Sequence, residues 1–284
     1  ALVALLVTTI GFEQILHLAR GQTPGPLAGW MIMMKPDPRA SLEDTVEAQE
    51  RMDARGHVVR KLDEADIRAK IEGLVKKGIE SITISLINSF ANPAHEYQIR
   101  DIAKQVAPKL PVTCSYDVLP QFREYERAET AVLNSYIRPN VSRYLHNLES
   151  KLKGAKLKAM LNVLRSDGGL MSVHAAEDKP VNLLMSGPSG GVTGALFIAN
   201  RAGFPNMMTF DMGGTSTDVS LNQGEASIGR ETNIATFASQ NTVLPIKVAS
   251  VDVRTIGAGG GSIAHVPALT KALRIGPMSA GADP

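Results

Sequence analysis

The chain is 284 residues long, 44% hydrophobic and 20% charged, with a formal net charge of +2. That length accommodates two lobes with separate cores, and a charge so near zero, with basic residues scattered, argues against nucleic acid or a membrane surface as partner while leaving small anionic ligands open. The lone Cys114 excludes an internal disulfide and a multi-cysteine zinc site, in keeping with a reducing compartment, the cytoplasm by default.

Ala1 to Val7 is apolar but lacks a basic flank and is far too short to span a bilayer, so it reads as a core strand near residues 2–8. Phe12, Ile15, Leu16 and Ala19 have the spacing of one helix face, and the Pro/Gly stretch from Gly21 to Gly29 ends that helix. Ser41-Leu42-Glu43-Asp44 has the form of a capping box, whereas Val46 to Val59, turning at Arg55-Gly56, also reads as extended chain; both readings stand. Asp63 caps a helix with Ile67, Ile71, Leu74 and Val75 on one side, Gly78 stops it, and Ile82 to Ile87 makes a strand. A helix from Pro93 to Val106 and a strand from Val112 to Ser115 complete a strand–helix–strand unit, which implies parallel pairing.

A helical stretch from Arg123 to Leu152 carries Tyr125, Val132, Leu133, Tyr136 and Ile137, with Pro139 expected to kink or divide it. At its start, Arg123-Glu124-Tyr125-Glu126-Arg127 alternates charge densely; a solvated, salt-linked face is the simple reading and a hinge or partner contact the other. Strands then recur near 158–164, 181–185, 206–211 and 216–221, with a helix near 190–202.

The most informative stretch is Phe210-Asp211-Met212-Gly213-Gly214-Thr215-Ser216-Thr217-Asp218-Val219. Adjacent glycines let a backbone turn tightly and present N–H groups to an anion. Thr215, Ser216 and Thr217 add hydroxyl donors, and Asp211 and Asp218 flank the turn where carboxylates can hold hydrated Mg²⁺ opposite phosphates. A plain Gly-Gly hairpin is the alternative. In Ser186-Gly187-Pro188-Ser189-Gly190-Gly191, read as strand, glycine turn and helix start, the free N–H groups could face a second anion, or the glycines could only let the helix pack closely. Ile256-Gly257-Ala258-Gly259-Gly260-Gly261-Ser262 is a third such turn, open to ligand contact at Gly259 and Gly260 or to a structural role; Arg165-Ser166-Asp167-Gly168-Gly169 is a fourth. The histidines are dispersed without metal-site spacing, and no Gly-x-Ser-x-Gly elbow occurs, which disfavours a serine acyl-transfer triad.

These blocks, with Thr8-Thr9-Ile10-Gly11-Phe12, Arg123 to Arg127 and the closing Ser279-Ala280-Gly281-Ala282-Asp283-Pro284, closely resemble in order and content the hydantoinase A/5-oxoprolinase family. The resemblance implies an α/β, two-lobed actin-like ATPase (ribonuclease H-like) fold. An incomplete first lobe would occupy residues 1–118 and most of the nucleotide-binding second lobe residues 119–284, the first lobe's Asp-x-Gly-Gly-Thr motif lying upstream of Ala1.

It further implies ATP and Mg²⁺ as cofactors. Asp211 would be metal ligand and catalytic residue, with Asp218 beside it; Gly213, Gly214, Thr215, Ser216, Thr217, Ser186, Gly187, Gly190, Gly191, Gly259 and Gly260 would contact the nucleotide. The activity implied is phosphorylation of a carbonyl oxygen for hydrolysis of a hydantoin- or 5-oxoproline-like cyclic amide. Alternatives are carboxylation of a ketone such as acetone or acetophenone, a non-catalytic nucleotide-binding scaffold, or a sugar or acetate kinase relative. A hydantoinase B-like partner subunit and an oligomer are expected, with no nucleic acid and no membrane.

Overall fold

The computed structural model describes residues 5–20, 38–157, 160–237 and 242–281. The Gly21 to Gly29 stretch and the closing Ala282-Asp283-Pro284 lie outside them. Two compact units are present: Ala1–Asn162 with Ser172–Val181 and Glu231–Val248, and Val163–Met171 with Asn182–Arg230 and Ala249–Pro284.

The first unit runs β1 (Leu5–Thr9), α1 (Ile15–Leu18), β2 (Thr45–Ala48), β3 (Arg51–Met52), β4 (Val58–Arg60), α2 (Glu64–Lys76), β5 (Ile82–Ile84), α3 (Ala94–Val106), β6 (Val112–Cys114), α4 (Ser115–Val118) and α5 (Glu124–Gly154). Its sheet has the order β2-β1-β5-β6 with every pair parallel. Alternation along the strands explains the two layers on it. Val7, Ile82, Ile84 and Cys114 meet Ile67, Ile71, Leu74, Ile99 and Ile102 of α2 and α3. Leu6 meets Leu16, Tyr125, Ala128 and Val132, while Thr83 donates to Ser135 Oγ at 2.7 Å. Helix α2 begins where Asp63 accepts the Asp66 N–H at 3.0 Å and is left behind at Gly78, whose φ is +79°.

Both readings of residues 41–59 hold in part. Ser41 caps a single 3-10 turn, Leu42–Asp44, and the chain then extends through β2 and the β3–β4 hairpin, which turns at Gly56 with φ +82°. The strand expected to reach Ile87 ends at Ile84, because side chains take over the pairing: Leu86 N–H donates to Glu96 Oε1 at 3.0 Å and Ile87 N–H to Thr9 Oγ1 at 3.0 Å.

Helix α5 is not divided at Pro139. Proline removes the N–H that the carbonyl four residues earlier would accept; here that carbonyl, Ser135 O, accepts from Ser81 Oγ at 3.2 Å instead. The solvated, salt-linked reading of Arg123 to Arg127 holds only in part: Arg123 is exposed and pairs with Glu126 at 3.7 Å, but Tyr125, Glu126 and Arg127 are buried. Arg127 is 0% exposed, donating to Ser115 Oγ at 3.0 Å, Gln121 O at 2.9 Å, Leu86 O at 2.7 Å and Glu124.

Next come β7 (Asn162–Leu164), β8 (Leu170–Ser172), α6 (Val173–Asp178), α7 (Ser186–Arg201), β9 (Asn206–Met212), β10 (Thr217–Gln223), β11 (Ile228–Gly229), β12 (Thr232–Phe237), β13 (Thr242–Ile246), β14 (Ser250–Val251), β15 (Arg254–Ile256), β16 (Ser262–His265) and β17 (Arg274–Ser279). Helix α6, β12 and β13 belong to the first unit. The strand expected at 181–185 is absent. A 3-10 turn, Pro180–Leu183, stands there, its polar groups bonded to side chains: Val181 N–H to Asn134 Oδ1 at 3.2 Å and Asn182 O from Ser166 Oγ at 2.8 Å. The second unit is built on an antiparallel sheet, β15-β10-β9, with α7 against it.

Candidate functional site

The hairpin of β9 and β10 pairs Met212 with Thr217 and Asp211 with Asp218, and β15 extends the row by pairing Asp218 with Thr255. Cross-strand partners share a face, so Asp211, Asp218 and Thr255 lie side by side. Thr255 Oγ1 donates to Asp218 Oδ1 at 2.6 Å. The exposed Asp211 carboxylate makes no hydrogen bond or ion pair with another described residue. On the opposite face Met208, Phe210 and Met212 are more than half exposed.

At the turn, Gly213 N–H donates to Ser216 O at 2.9 Å. The N–H groups of Gly214, Thr215 and Ser216, and the hydroxyls of Thr215 and Ser216, make no hydrogen bond to a described residue. Thr217 differs: it is buried and its hydroxyl donates to Ala258 O at 2.6 Å. Behind the turn lies the third glycine motif. Gly260 N–H donates to Gly213 O at 2.9 Å, Gly261 N–H to Gly214 O at 2.7 Å, and Ser279 Oγ to Gly214 O at 3.1 Å. Gly259 N–H donates to Ser262 Oγ at 2.8 Å. In this structure the N–H groups of Gly259 and Gly260 are therefore engaged.

The Ser186 to Gly191 block is not a turn before a helix but the first turns of α7 itself, entered through Met185 in the left-handed region at φ +61°. Ser186 and Gly187 keep the unpaired N–H groups of a helix start. Ser189 is buried, its hydroxyl donating to Ser166 O at 2.6 Å, and a Cβ on Gly190 would sit 2.9 Å from Leu164 Cδ1, so these two residues hold the helix in place. Gly191 lines a cavity of about 350 Å³ between α7 and the sheet, shared with Pro188, Val192, Thr209, Asp211 and Asp218. In the fourth glycine turn Asp167 is paired with Arg165 at 2.6 Å and accepts Gly169 N–H at 3.0 Å. No group of three or more His, Cys, Asp or Glu suited to a metal occurs among the described residues.

Thr255 was invisible to sequence reasoning, and Ser279 entered it only as part of the closing block that carries the resemblance, without a role at the turn. Each is an ordinary small residue whose role comes from strand register or a distant turn.

A separate set of buried polar groups lies in the first unit, at the carboxyl ends of its parallel strands. Glu50 is fully buried, accepting from Thr9 Oγ1 and facing His95 Nδ1 at 2.7 Å. Glu96, also fully buried, accepts from Ser115 Oγ at 2.6 Å and Tyr116 N–H at 3.1 Å; burial nevertheless pushes its carboxyl up. One turn beyond Tyr125, Glu129 is 1% exposed with neither carboxylate oxygen hydrogen-bonded. Burial raises it to about 7, against the pull of the Arg39 charge.

A parallel sheet with helices on both faces in one unit, and a Gly-Gly hairpin with a helix against it in the other, define an α/β protein with the fold of the actin-like ATPases. The crystal structure of the ATP-dependent caprolactamase from Pseudomonas jessenii matches it with a TM-score of 0.82 and 28% identity, over 100% of this chain and 40% of that one. The chain belongs to the hydantoinase/oxoprolinase family: the Hydantoinase/oxoprolinase model matches residues 127–284, and the Hydantoinase/oxoprolinase N-terminal region model residues 3–107. It is 32% identical to the acetophenone carboxylase gamma subunit of Aromatoleum aromaticum over 98% of this chain and 39% of that protein. It is 33% identical to the 5-oxoprolinase of Saccharomyces cerevisiae over 80% of this chain and 17% of that protein. The chain thus spans well under half the length of these relatives. Among the described residues, no helix is long and apolar enough to cross a membrane.

Proposed function

We propose that this chain is the nucleotide-handling part of an ATP-dependent enzyme in which phosphorylation activates a carbonyl oxygen for hydrolysis of a cyclic amide of the hydantoin or 5-oxoproline type. One observation carries the reading: the N–H groups of Gly214, Thr215 and Ser216 and the carboxylate of Asp211, on one hairpin, all make no hydrogen bond to a described residue. Backbone N–H groups gathered in a turn attract phosphate oxygens, and a free carboxylate is a hard oxygen ligand. The residues present therefore fit Mg²⁺ with a phosphate chain. Asp211 would hold the ion directly or through water, and Asp218, fixed by Thr255, would orient it. When bound there, Mg²⁺ neutralises charge on the phosphate oxygens. An amide oxygen is a poor leaving group until phosphorylated, so the protein's work is positioning and charge stabilisation. The first turn of α7, with the N–H groups of Ser186 and Gly187, offers a second place for an anion.

The names of the caprolactamase and 5-oxoprolinase relatives support the cyclic-amide reading. The carboxylase relative, aligned over 98% of this chain, supports a second one, ketone carboxylation through a phosphorylated enol. That relative's being a gamma subunit supports an assembly with partner subunits; we propose that one of them is hydantoinase B-like and that the assembly is cytoplasmic. The family models leave residues 108–126 between them, which supports a boundary between family regions near 118, whereas the first compact unit runs on through Asn162.

The test is substrate-dependent ATP hydrolysis by the full chain with its partner, wild type against Asp211→Ala. The variant should lose about a hundredfold in turnover, the scale of removing one charge-stabilising group, with its circular dichroism unchanged. Normal turnover by the folded variant would sink the proposal.

A further inference from the structure

The turn from Gly213 to Ser216 is held from behind by two segments distant from it in sequence, and we infer that the 257–262 turn together with Ser279 is an orienting clamp for the phosphate-binding N–H groups. This rests on the nucleotide reading above. In a trans peptide the C=O and N–H point in opposite directions within one plane. The carbonyl of Gly213 shares its plane with the N–H of Gly214, and the carbonyl of Gly214 shares the next with the N–H of Thr215. Gly260 N–H holds the first carbonyl at 2.9 Å; Gly261 N–H at 2.7 Å and Ser279 Oγ at 3.1 Å hold the second. With both carbonyls fixed toward the clamp, the N–H groups of Gly214 and Thr215 must face away from it, and there they make no hydrogen bond to a described residue. The clamp determines their direction without touching the ligand.

Sterics show why the motif is glycine at these places. A Cβ on Gly259 would lie 2.5 Å from Gly213 O and 2.8 Å from Gly214 C. One on Gly261 would lie 2.5 Å from Gly281 O and 2.9 Å from Gly214 O. Neither residue has a positive φ, so close backbone approach, not an unusual conformation, excludes a side chain. Three backbone segments converge here. Ser279 joins the third, accepting Gly281 N–H at 2.9 Å while donating to Gly214 O, and Ala280 N–H donates to Gly261 O at 2.8 Å. Direct ligand contact by the glycine turn is a poor fit, because the N–H groups of Gly259, Gly260 and Gly261 all have partners within the clamp.

The experiment uses the full chain and combines amide hydrogen exchange without nucleotide with calorimetric titration of Mg·ATP and of adenosine. The wild type should show slow exchange at Gly260 and Gly261. Ser279→Ala should weaken Mg·ATP about threefold to tenfold, the effect of losing one supporting hydrogen bond, and leave adenosine affinity unchanged, with Ser279→Thr restoring the wild-type value. Gly261→Ala, checked for fold by circular dichroism, should weaken Mg·ATP further. Unprotected Gly260 and Gly261 amides in the wild type would overturn the clamp itself. Wild-type Mg·ATP affinity in both folded variants would overturn its orienting role. Protected amides with no Mg·ATP binding by the wild type would instead overturn the nucleotide reading, and with it the purpose assigned to the clamp.

Discussion

Glu129 should make the protein less stable as pH rises, and a single neutral isostere should abolish the effect. Its carboxyl is 1% exposed, neither oxygen has a hydrogen-bond partner, and burial holds it at about 7 against an ordinary value of 4.5. Among the described residues, Arg39 favours its ionisation, while Tyr125, on the same face of α5, has its hydroxyl raised by burial and by the Glu129 charge. Because the folded value is the higher one, the native state binds more protons than the unfolded chain between about pH 4.5 and pH 7. Stability is therefore full below that window and falls as pH rises through it. The shift corresponds to roughly 3.5 kcal/mol at most above pH 7, at about 1.4 kcal/mol per pH unit. Glu129→Gln cannot ionise, so its urea midpoint should match the wild type near pH 4 and exceed it near pH 8. Parallel midpoints for the two proteins across that range would show that Glu129 finds a partner or reaches solvent, and would refute the reasoning.

Two further substitutions test the described geometry. Arg127→Met leaves Glu124 and the carbonyls of Leu86 and Gln121 without their buried donor; it should cost about 3–5 kcal/mol in chemical denaturation, and a loss under about 1 kcal/mol would mean that the network re-forms without it. Thr255→Val removes the only hydroxyl bonded to Asp218 among the described residues; it should lower substrate-dependent ATP turnover by up to about tenfold, shift its Mg²⁺ dependence and be rescued by Thr255→Ser, whereas an unchanged Mg²⁺ profile would remove Thr255 from the site.

What could be read from the chain depended on whether the controlling interaction was local. Helix α2 was legible because Asp63, the apolar spacing and Gly78 all lie within it. The end of β5 was not, because Glu96 and Thr9, remote in sequence, satisfy the N–H groups of Leu86 and Ile87. Arg123 to Arg127 looked like solvent-facing charge because nothing local reveals that Ser115 and Leu86 surround Arg127. The 181–185 segment is apolar enough for a strand, but Asn134 and Ser166 bond its backbone instead. At the site, the string from Asp211 to Asp218, with Gly213-Gly214 inside it, located the turn and both carboxylates, whereas the difference between Thr215 and Thr217 appears only once Ala258 is seen to accept from the latter.

The bond from Ser279 to Gly214 crosses 65 residues of chain. The ten-residue string from Phe210 to Val219 is consequently not a portable cassette. Grafted alone into a host protein it would form a hairpin whose peptide planes turn freely, recognisable to a motif search and indifferent to phosphate. The smallest piece that can be transplanted with its directionality intact contains the hairpin, the 257–262 turn and the strand ending at Ser279, so a protein engineer would have to move most of the second unit to move this one turn.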